Sequence, residues 1–228
     1  MRKEEPIQKY PELLRTCILF QDMTPETLSE ALQLLHAERR VYRKGAFLHH
    51  AGEPLKKFGF VLSGAVQALT DDPDGNRMIM ANVIPGGTFG ESLCYLKVPD
   101  SPTYIQATEE TEILWLSLSR IYGEPAPQDA LSRDLRRRFT AMLAERALSM
   151  NRRIQVLSNI TIREKLMTFF SHAANRAGSR SFTITMTRED LAAYIGANRS
   201  ALSRELSRMK AEGLIDFHRN RFRIIHFE

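Results

Sequence analysis

The sequence predicts an α+β fold: an N-terminal jelly-roll-type β-barrel, then one long helix, then a C-terminal winged helix-turn-helix. Three observations carry this prediction. Short alternating apolar runs with turn residues between them fill residues 39–118, a helical apolar stripe follows, and helix-turn-helix spacing begins after residue 187. A chain of 228 residues is long enough for two domains.

The barrel is predicted from several short strand-like runs, such as KKFGFVLSGAVQALT and EILWLSLS. Turn signals separate them at Gly52, Gly64, residues 71–75 and Gly86. Many short strands at this spacing are typical of a barrel or sandwich. The amphipathic segment PETLSEALQLLH precedes the strands and the Pro-rich segment GEPAPQD follows them, so we place the first domain at residues 1–128.

One long helix is predicted for residues 129–158. Its apolar positions recur at spacings of three and four: Leu131, Leu135, Phe139, Met142, Leu143, Met150, Ile154 and Leu157. A helix of this length, roughly 40 Å at 1.5 Å per residue, extends beyond a small barrel. Its far end must bury its stripe elsewhere, and a second copy of the chain is the simplest partner. The alternative is a helix buried against its own domain.

Residues 159–228 carry the most specific pattern. Thr187 is a predicted N-cap with Asp190 three residues later, and Gly196 supplies the tight turn before a second helix. On that helix Leu202, Leu206 and Met209 face inward. The run LIDFHRNRFRIIHF then predicts a two-stranded wing.

The opposite face of the second helix carries small hydroxyls and guanidinium groups, which suit the major groove of DNA. Arginines of the wing are candidates for phosphate contacts, which position a protein without specifying sequence. The predicted DNA-binding residues are Arg199, Ser200, Ser203, Arg204, Ser207, Arg208, Arg188, Arg219 and Arg221. The alternative is a helix with a solvated polar face.

The charge distribution favours a polyanion as the partner of the C-terminal region. Residues 158–228 hold 12 of the 32 Lys and Arg but only 7 of the 27 Asp and Glu, so the excess of +5 lies there. No apolar run approaches the roughly 20 residues of a membrane span, and the segment MRKEEPIQKY lacks the apolar block of a signal peptide. We therefore expect a cytoplasmic protein without a membrane partner, which makes nucleic acid the natural polyanion.

Other classes of protein fit the sequence poorly. The two cysteines, Cys17 and Cys94, are far apart and predict buried core residues, without a disulfide framework or a Cys-rich metal site. The histidines form neither an H-E-x-x-H motif nor a pair with a nucleophile motif. We therefore expect no catalytic residues and no enzyme.

The order of barrel, long helix and winged helix-turn-helix resembles the Crp/Fnr family of bacterial transcription regulators. The resemblance is carried by glycines at turns, among them Gly45, Gly64 and Gly90, and above all by REDLAAYIGANRSALSRELSRMKAEGLI at 188–215. It implies a cyclic-nucleotide-binding-like sensor domain and a homodimer that reads a palindromic operator in double-stranded DNA, with RNA polymerase as a further partner. Arg199 and Arg204 match base-contacting positions of the family, whereas Ser200 stands where many members have Glu.

The resemblance also implies an effector pocket near Gly90 and Glu91. Members that bind cyclic AMP carry Arg-Ser or Arg-Thr about ten residues later, and this chain has Ser101 and Pro102 there. A buried phosphate needs a cation or several donors, so we expect an unknown small-molecule effector other than cyclic AMP. The residues predicted to line the pocket are Met78, Met80, Phe89, Gly90, Glu91, Leu93, Tyr95 and Ser101. The alternative is that these side chains only fill the barrel core.

Two other sensory chemistries of the family require metal-ligating side chains. The iron–sulfur sensors use a cluster of N-terminal cysteines, and Cys17 alone excludes that mechanism. Haem-binding members use His, Cys or Met ligands, and His49, His50, Met78 and Met80 keep that alternative open. Adjacent histidines on a strand point to opposite faces, so we expect no joint metal site at His49 and His50.

The function predicted from the sequence is thus a homodimeric, sequence-specific DNA-binding transcriptional regulator controlled by a signal other than cyclic AMP. The alternative is a ligand-binding signalling protein that has the sensor domain but no specific DNA recognition.

Overall fold

A computed structural model of the chain describes residues 10–72 and 77–226. The chain divides into two compact units, Met1–Ala144 and Glu145–Glu228, and the division lies within one long helix, α4 (Ala130–Leu157).

The first unit is the β-rich domain that the alternating runs predicted. Among the described residues its elements are α1 (Pro11–Arg15), α2 (Pro25–Leu34), β1 (Glu38–Tyr42), β2 (Phe47–His49), β3 (Phe58–Ser63), β4 (Val66–Asp71), β5 (Arg77–Val83), β6 (Thr88–Phe89), α3 (Glu91–Tyr95), β7 (Tyr104–Ala107) and β8 (Thr111–Leu116). The strands form two antiparallel four-stranded sheets, ordered β1-β8-β3-β6 and β2-β7-β4-β5.

The central strands of the first sheet are buried on both faces. Val61 and Ile113 belong to an apolar cluster that includes residues of the second sheet, such as Val66 and Ile105. The preceding residue of β3, Phe60, joins a different cluster with α1, α2 and the start of α4. Because successive side chains of a strand alternate between faces, β3 and β8 are apolar almost throughout.

The second sheet ends in an exposed edge strand, β5. Met78, Ile79 and Met80 are 48, 58 and 60% exposed, and burial begins only at Val83. The apolar alternation of this segment predicted a strand correctly, but the strand lies at an edge.

Helix α4 (Ala130–Leu157) begins where the Asp129 carboxylate accepts a hydrogen bond of 2.8 Å from the Ser132 amide. The observed α4 confirms the long helix that was predicted from the apolar stripe. Leu135 and Phe139 are fully buried in the first unit. Ile154, near the other end of the stripe, is 58% exposed in the single chain.

The second unit confirms the predicted winged helix-turn-helix. Beyond the end of α4 its elements are α5 (Ile162–Ala177), β9 (Ser181–Thr183), α6 (Arg188–Ile195), α7 (Arg199–Ala211), β10 (Ile215–His218) and β11 (Arg221–Ile224). Thr187 and Asp190 form a capping box at the start of α6, and Gly196 ends it at φ 67°, in the left-handed region that favours glycine. The wing has three strands in the order β10-β11-β9: the predicted hairpin is joined by β9, which overlaps FTITMT, a segment that also predicts a short strand. The additional strand pairs through Phe182 and Phe222, which are 40 positions apart and share no local pattern.

Both cysteines are free and buried, as expected for core residues. Cys17 Sγ lies 3.7 Å from Met142 Sδ within the first apolar cluster. No helix within residues 10–72 and 77–226 has the length and apolar character needed to cross a membrane.

Candidate nucleic-acid interface

Helix α7 has two sharply different faces. Leu202, Leu206 and Met209 are at most 1% exposed and pack into the core of the second unit. The other face carries the predicted reading residues, all of them exposed: Arg199, Ser200, Ser203, Arg204, Ser207 and Arg208. Burial of the apolar face therefore fixes which side chains the helix presents to solvent.

The first turn of α7 is held by Asn198. Its side-chain oxygen accepts a hydrogen bond of 2.8 Å from the Ala201 amide and one of 2.9 Å from the Ser200 hydroxyl. In the described part of the chain, no hydrogen bond or ion pair engages the guanidinium groups of Arg199 and Arg204. Both arginines thus keep all their donors for an external partner.

A cluster of charges connects α7 to the start of α5. Arg163 Nε lies 2.7 Å from Glu205 Oε1, and Arg163 Nη1 lies 2.6 Å from Glu212 Oε2. These carboxylates raise the pKa of Arg163, and Arg163 in turn lowers the pKa of Glu212. Arg208 Nη1 is 3.6 Å from the second oxygen of Glu205, so one predicted DNA ligand already has an acidic neighbour.

The wing presents two of the predicted phosphate ligands at its turn. Arg219 adopts a positive φ of 54°, and Arg221 pairs with His218 to close the hairpin. Lys210 connects α7 to this sheet, since its ammonium lies 3.0 Å from the Phe217 carbonyl and 2.7 Å from the Asp216 carboxylate. The wing and the exposed face of α7 therefore belong to one connected set of elements.

Arg188 differs from the other predicted DNA ligands, because it is half-buried. Its guanidinium carbon lies 4.8 Å from the centre of the Phe222 ring and 5.4 Å from that of Phe217. Arg188 Nη2 donates a hydrogen bond of 2.8 Å to the Arg219 carbonyl. Arg188 thus contacts the wing, whereas the sequence predicted that it would contact DNA together with the exposed residues.

The eight residues predicted to line an effector pocket do not form one group. Met78 and Met80 lie on the exposed edge strand β5. Phe89 and Leu93 pack into the cluster between the two sheets. Tyr95 is 44% exposed, and its ring lies 5.0 Å from that of Tyr122 and 5.8 Å from that of Phe139 in the other cluster. These residues therefore lie in different surroundings, and their grouping into one effector pocket stays a prediction.

The remaining residues of that group, Gly90, Glu91 and Ser101, contact or bond to other residues of the same chain. Gly90 adopts a positive φ of 79°, and a Cβ there would lie 2.2 Å from Leu55 Cδ2, so Leu55 covers this turn. Glu91 is 4% exposed and accepts a short hydrogen bond from the Thr88 hydroxyl. Ser101 is 1% exposed, and its carbonyl accepts a hydrogen bond of 2.8 Å from the Gly52 amide.

His49, the last residue of β2, and the adjacent His50 lie in different surroundings, as predicted. His49 is 6% exposed, and burial lowers its pKa. His50 is exposed and contacts the Phe47 ring at 5.0 Å. Within residues 10–72 and 77–226, no three His, Cys, Asp or Glu side chains converge to hold a metal ion.

Three features of these sites were not found from the sequence. The bond from Arg188 to Arg219 spans 31 positions and that from Arg163 to Glu205 spans 42, so neither has a local spacing signal. The cover of Gly90 by Leu55 is equally distant in sequence. The Asn198 cap, in contrast, stands directly before the helix and was recognisable as an N-cap residue.

Two family models match the chain in the order of its two units. A cyclic nucleotide-binding domain model matches residues 39–123, and a Crp-like helix-turn-helix domain model matches residues 164–228. The second match argues against a signalling protein that lacks a DNA-binding domain.

Curated relatives agree with these matches. Electron transport regulator A of Shewanella oneidensis is 28% identical over 186 residues, covering 78% of this chain and 71% of the relative. The transcriptional activator protein anr of Pseudomonas aeruginosa is 26% identical over 183 residues, covering 77% of this chain and 72% of the relative.

A solved structure has the same fold. The crystal structure of DNR from Pseudomonas aeruginosa matches with a TM-score of 0.53 at 22% identity, over 98% of this chain and 96% of that chain. Both curated relatives are named as regulators, the second of them as a transcriptional activator, which confirms the expectation that the chain is not an enzyme. The two domain matches, their order and the geometry of α7 together show that the chain belongs to the Crp/Fnr family of DNA-binding transcription regulators.

Proposed function

We propose that the protein is a homodimeric regulator that reads a palindromic operator through the exposed face of α7. The observation that carries this proposal is the separation of faces on α7, with three buried apolar residues and six exposed polar ones. We further propose RNA polymerase as a partner, because the family comprises regulators of transcription. We also propose that the protein acts in the cytoplasm, because its proposed target is DNA.

The proposed roles of the side chains follow from their chemistry. Arg199 and Arg204 present planar forks that match guanine O6 and N7, and the serines reach base edges or phosphates. Arg219 and Arg221 contact phosphates from the wing, which fixes register and adds affinity for any sequence. In this arrangement α7 supplies specificity and the wing supplies position.

A dimer is supported by the exposed part of the α4 stripe. Met150, Ile154 and Leu157 recur at spacings of four and three, and they are 60, 58 and 41% exposed. A second α4 would bury this stripe and place two copies of α7 one helical turn of DNA apart. Sedimentation velocity tests this step: Ile154→Glu should give monomers, whereas Gln155→Glu, with the same charge beside the stripe, should leave the dimer intact.

The proposed division of labour follows the sequence prediction. Residues 1–128 form the sensor domain, 129–158 the dimerisation helix and 159–228 the DNA-binding domain. The effector differs from cyclic AMP, since Ser101 and Pro102 supply no guanidinium and Leu55 already covers Gly90. A change of state in the sensor would bias the geometry of the two DNA-binding domains.

The test of DNA reading compares two arginine variants on selected and random duplexes. Arg204→Ala should lose about 1–3 kcal/mol of discrimination at one base pair of each half-site. Arg221→Ala should weaken binding to both duplexes equally and flatten the dependence of log K on log salt by about one unit. Equal losses on both duplexes for Arg204→Ala would contradict its role as a base reader.

A further inference from the structure

Arg188 connects the first helix of the helix-turn-helix to the wing. It is the first residue of α6, and its guanidinium lies over Phe222 and Phe217, whose rings stack on each other at 5.4 Å. A planar guanidinium packs on aromatic faces in a way that an ammonium does not reproduce. Arg188 therefore uses its flat side to hold the aromatic face of the wing sheet.

The edge of the same guanidinium donates a hydrogen bond to the turn of the wing at Arg219 and Asn220. Arg188 Nη2 donates to the carbonyl of Arg219, the residue with a positive φ of 54°. This backbone conformation is unfavourable for a residue with a Cβ, so a hydrogen bond at that carbonyl helps to keep the turn in place. The turn is also fixed from the other side, because the Ile184 amide donates 2.9 Å to the Asn220 carbonyl.

The position of Arg188 Nη1 argues against a direct contact with phosphate. This nitrogen is buried and has no hydrogen-bond partner among the described residues. Burial also lowers the pKa of the Arg188 guanidinium, as expected for a charge removed from water. An arginine that binds phosphate presents its donors outward, as Arg221 does on the exposed side of β11.

We infer that Arg188 is a positioning residue, which fixes the Arg219–Asn220 turn so that Arg219 and Arg221 can meet DNA phosphates. This inference rests on the proposed DNA-reading function, but the fixing of the turn is a property of the free protein. The two parts can therefore be tested separately.

The first test is amide hydrogen exchange in the full chain without DNA. Arg188→Lys should raise exchange at residues 218–222 by about tenfold, the loss expected for one hydrogen bond of a charged group, and leave the α7 amides unchanged. Arg221→Lys is the matched control and should change neither region. Unchanged exchange at the turn in Arg188→Lys would overturn the inference.

If Arg188→Lys raises exchange throughout the second unit, the variant has lost global stability and Arg188→Met replaces it. Methionine keeps an unbranched apolar chain against the two rings but cannot bond the Arg219 carbonyl. Selective exchange at the turn in that variant supports the positioning role, and protection equal to the parent contradicts it.

The second test is a double-mutant cycle on random-sequence duplex DNA, with Arg219→Ala and Arg221→Ala together as the second change. If Arg188 acts through the wing, Arg188→Lys should weaken binding about tenfold in the parent and have no further effect when both wing arginines are absent. Additive losses would identify Arg188 as a direct phosphate ligand and overturn the inference. A parent protein without salt-dependent binding would contradict the proposed function, while the exchange experiment would still decide the positioning role.

Discussion

The exposed face of α7 and the interior of the barrel use polar side chains in opposite ways. On α7 the arginines at 199 and 204 stand in solvent without a partner among the described residues. In the barrel, Glu91 and Ser101 are at least 96% buried and bonded to neighbouring residues of the fold. Polar residues are thus exposed to solvent on α7 of the second unit and bonded within the interior of the first unit.

This difference explains why the structure suggests a DNA-contacting surface more directly than a ligand site. A helix that contacts DNA needs donors that are free before the partner arrives, and α7 has them. In the proposed sensor domain Leu55 lies against Gly90 and Glu91 is buried, so a ligand that bound at Gly90 and Glu91 would require these side chains to move. The exposed face of α7 therefore presents its donors before any partner binds, whereas Glu91 in the barrel is already bonded within the fold.

The largest effect should come from the buried face of α7, which makes that surface possible. Leu206→Ala should lower the free energy of unfolding of the second unit by about 2–5 kcal/mol, because it removes a fully buried side chain. Ser203→Ala, one turn away on the exposed face, should change it by less than about 0.5 kcal/mol. Urea denaturation followed by circular dichroism measures both, and a large loss in Ser203→Ala would show that the two faces are not separate.

A smaller effect is expected from the closed interior of the barrel. Glu91→Ala should destabilise the first unit by about 1–3 kcal/mol, since it removes a buried carboxylate that accepts a hydrogen bond from the Thr88 hydroxyl. The exposed Glu30 of α2 provides the control, because Glu30→Ala removes the same charge without a buried bond. Thermal unfolding without ligand compares the two. A Glu91→Ala variant as stable as the parent would mean that this carboxylate is available to a ligand.

Glu205 provides a further test of the exposed face of α7, because its carboxylate lies beside Arg208 of that face. Glu205→Gln should cost about 1 kcal/mol of stability through the lost Arg163 bond, yet bind random duplex DNA more tightly. Freed from Glu205, Arg208 can add a phosphate contact and make the salt dependence steeper by about one unit.

Glu212→Gln is the matched control for that variant, since it breaks the other Arg163 bond and leaves Glu205 beside Arg208. The lowered pKa of Glu212 also sets how the contribution of this carboxylate to folding stability depends on pH. Its contribution to stability is present above the unfolded pKa of about 4 and is lost as the pH falls through the lower folded value. A Glu205→Gln variant with unchanged DNA affinity would show that the carboxylate does not restrain Arg208.

The smallest effect is expected from cyclic AMP itself. A ligand with a dissociation constant of about 10 μM, added at about 1 mM, would stabilise the folded state by about 2.7 kcal/mol. We expect no change in melting temperature, because the place of the cationic residue is taken by Ser101 and Pro102. A clear rise would contradict the proposal that the effector is not cyclic AMP.

The sequence predicted the features that depend on local spacing. The capping box from Thr187 to Asp190, the turn at Gly196 and the buried stripe of α7 all lie within a few residues of one another, so periodicity and capping rules suffice. The sequence failed where contacts join distant segments. Alternation identified β5 as a strand, but only the sheet order shows that it is an edge and that Met78 and Met80 face solvent. The wing bond of Arg188 was missed for the same reason.

The central claim, that the open face of α7 reads DNA sequence for a dimer, is tested most directly by selection from random duplex DNA. The purified full chain and its Arg204→Ala variant are each used without added ligand, and the bound duplexes are sequenced. We predict that the parent enriches a two-fold palindrome with half-sites about 10 base pairs apart, and that Arg204→Ala loses preference at one base pair in each half. No enrichment by the parent, or the same motif at the same strength with Arg204→Ala, would contradict the claim.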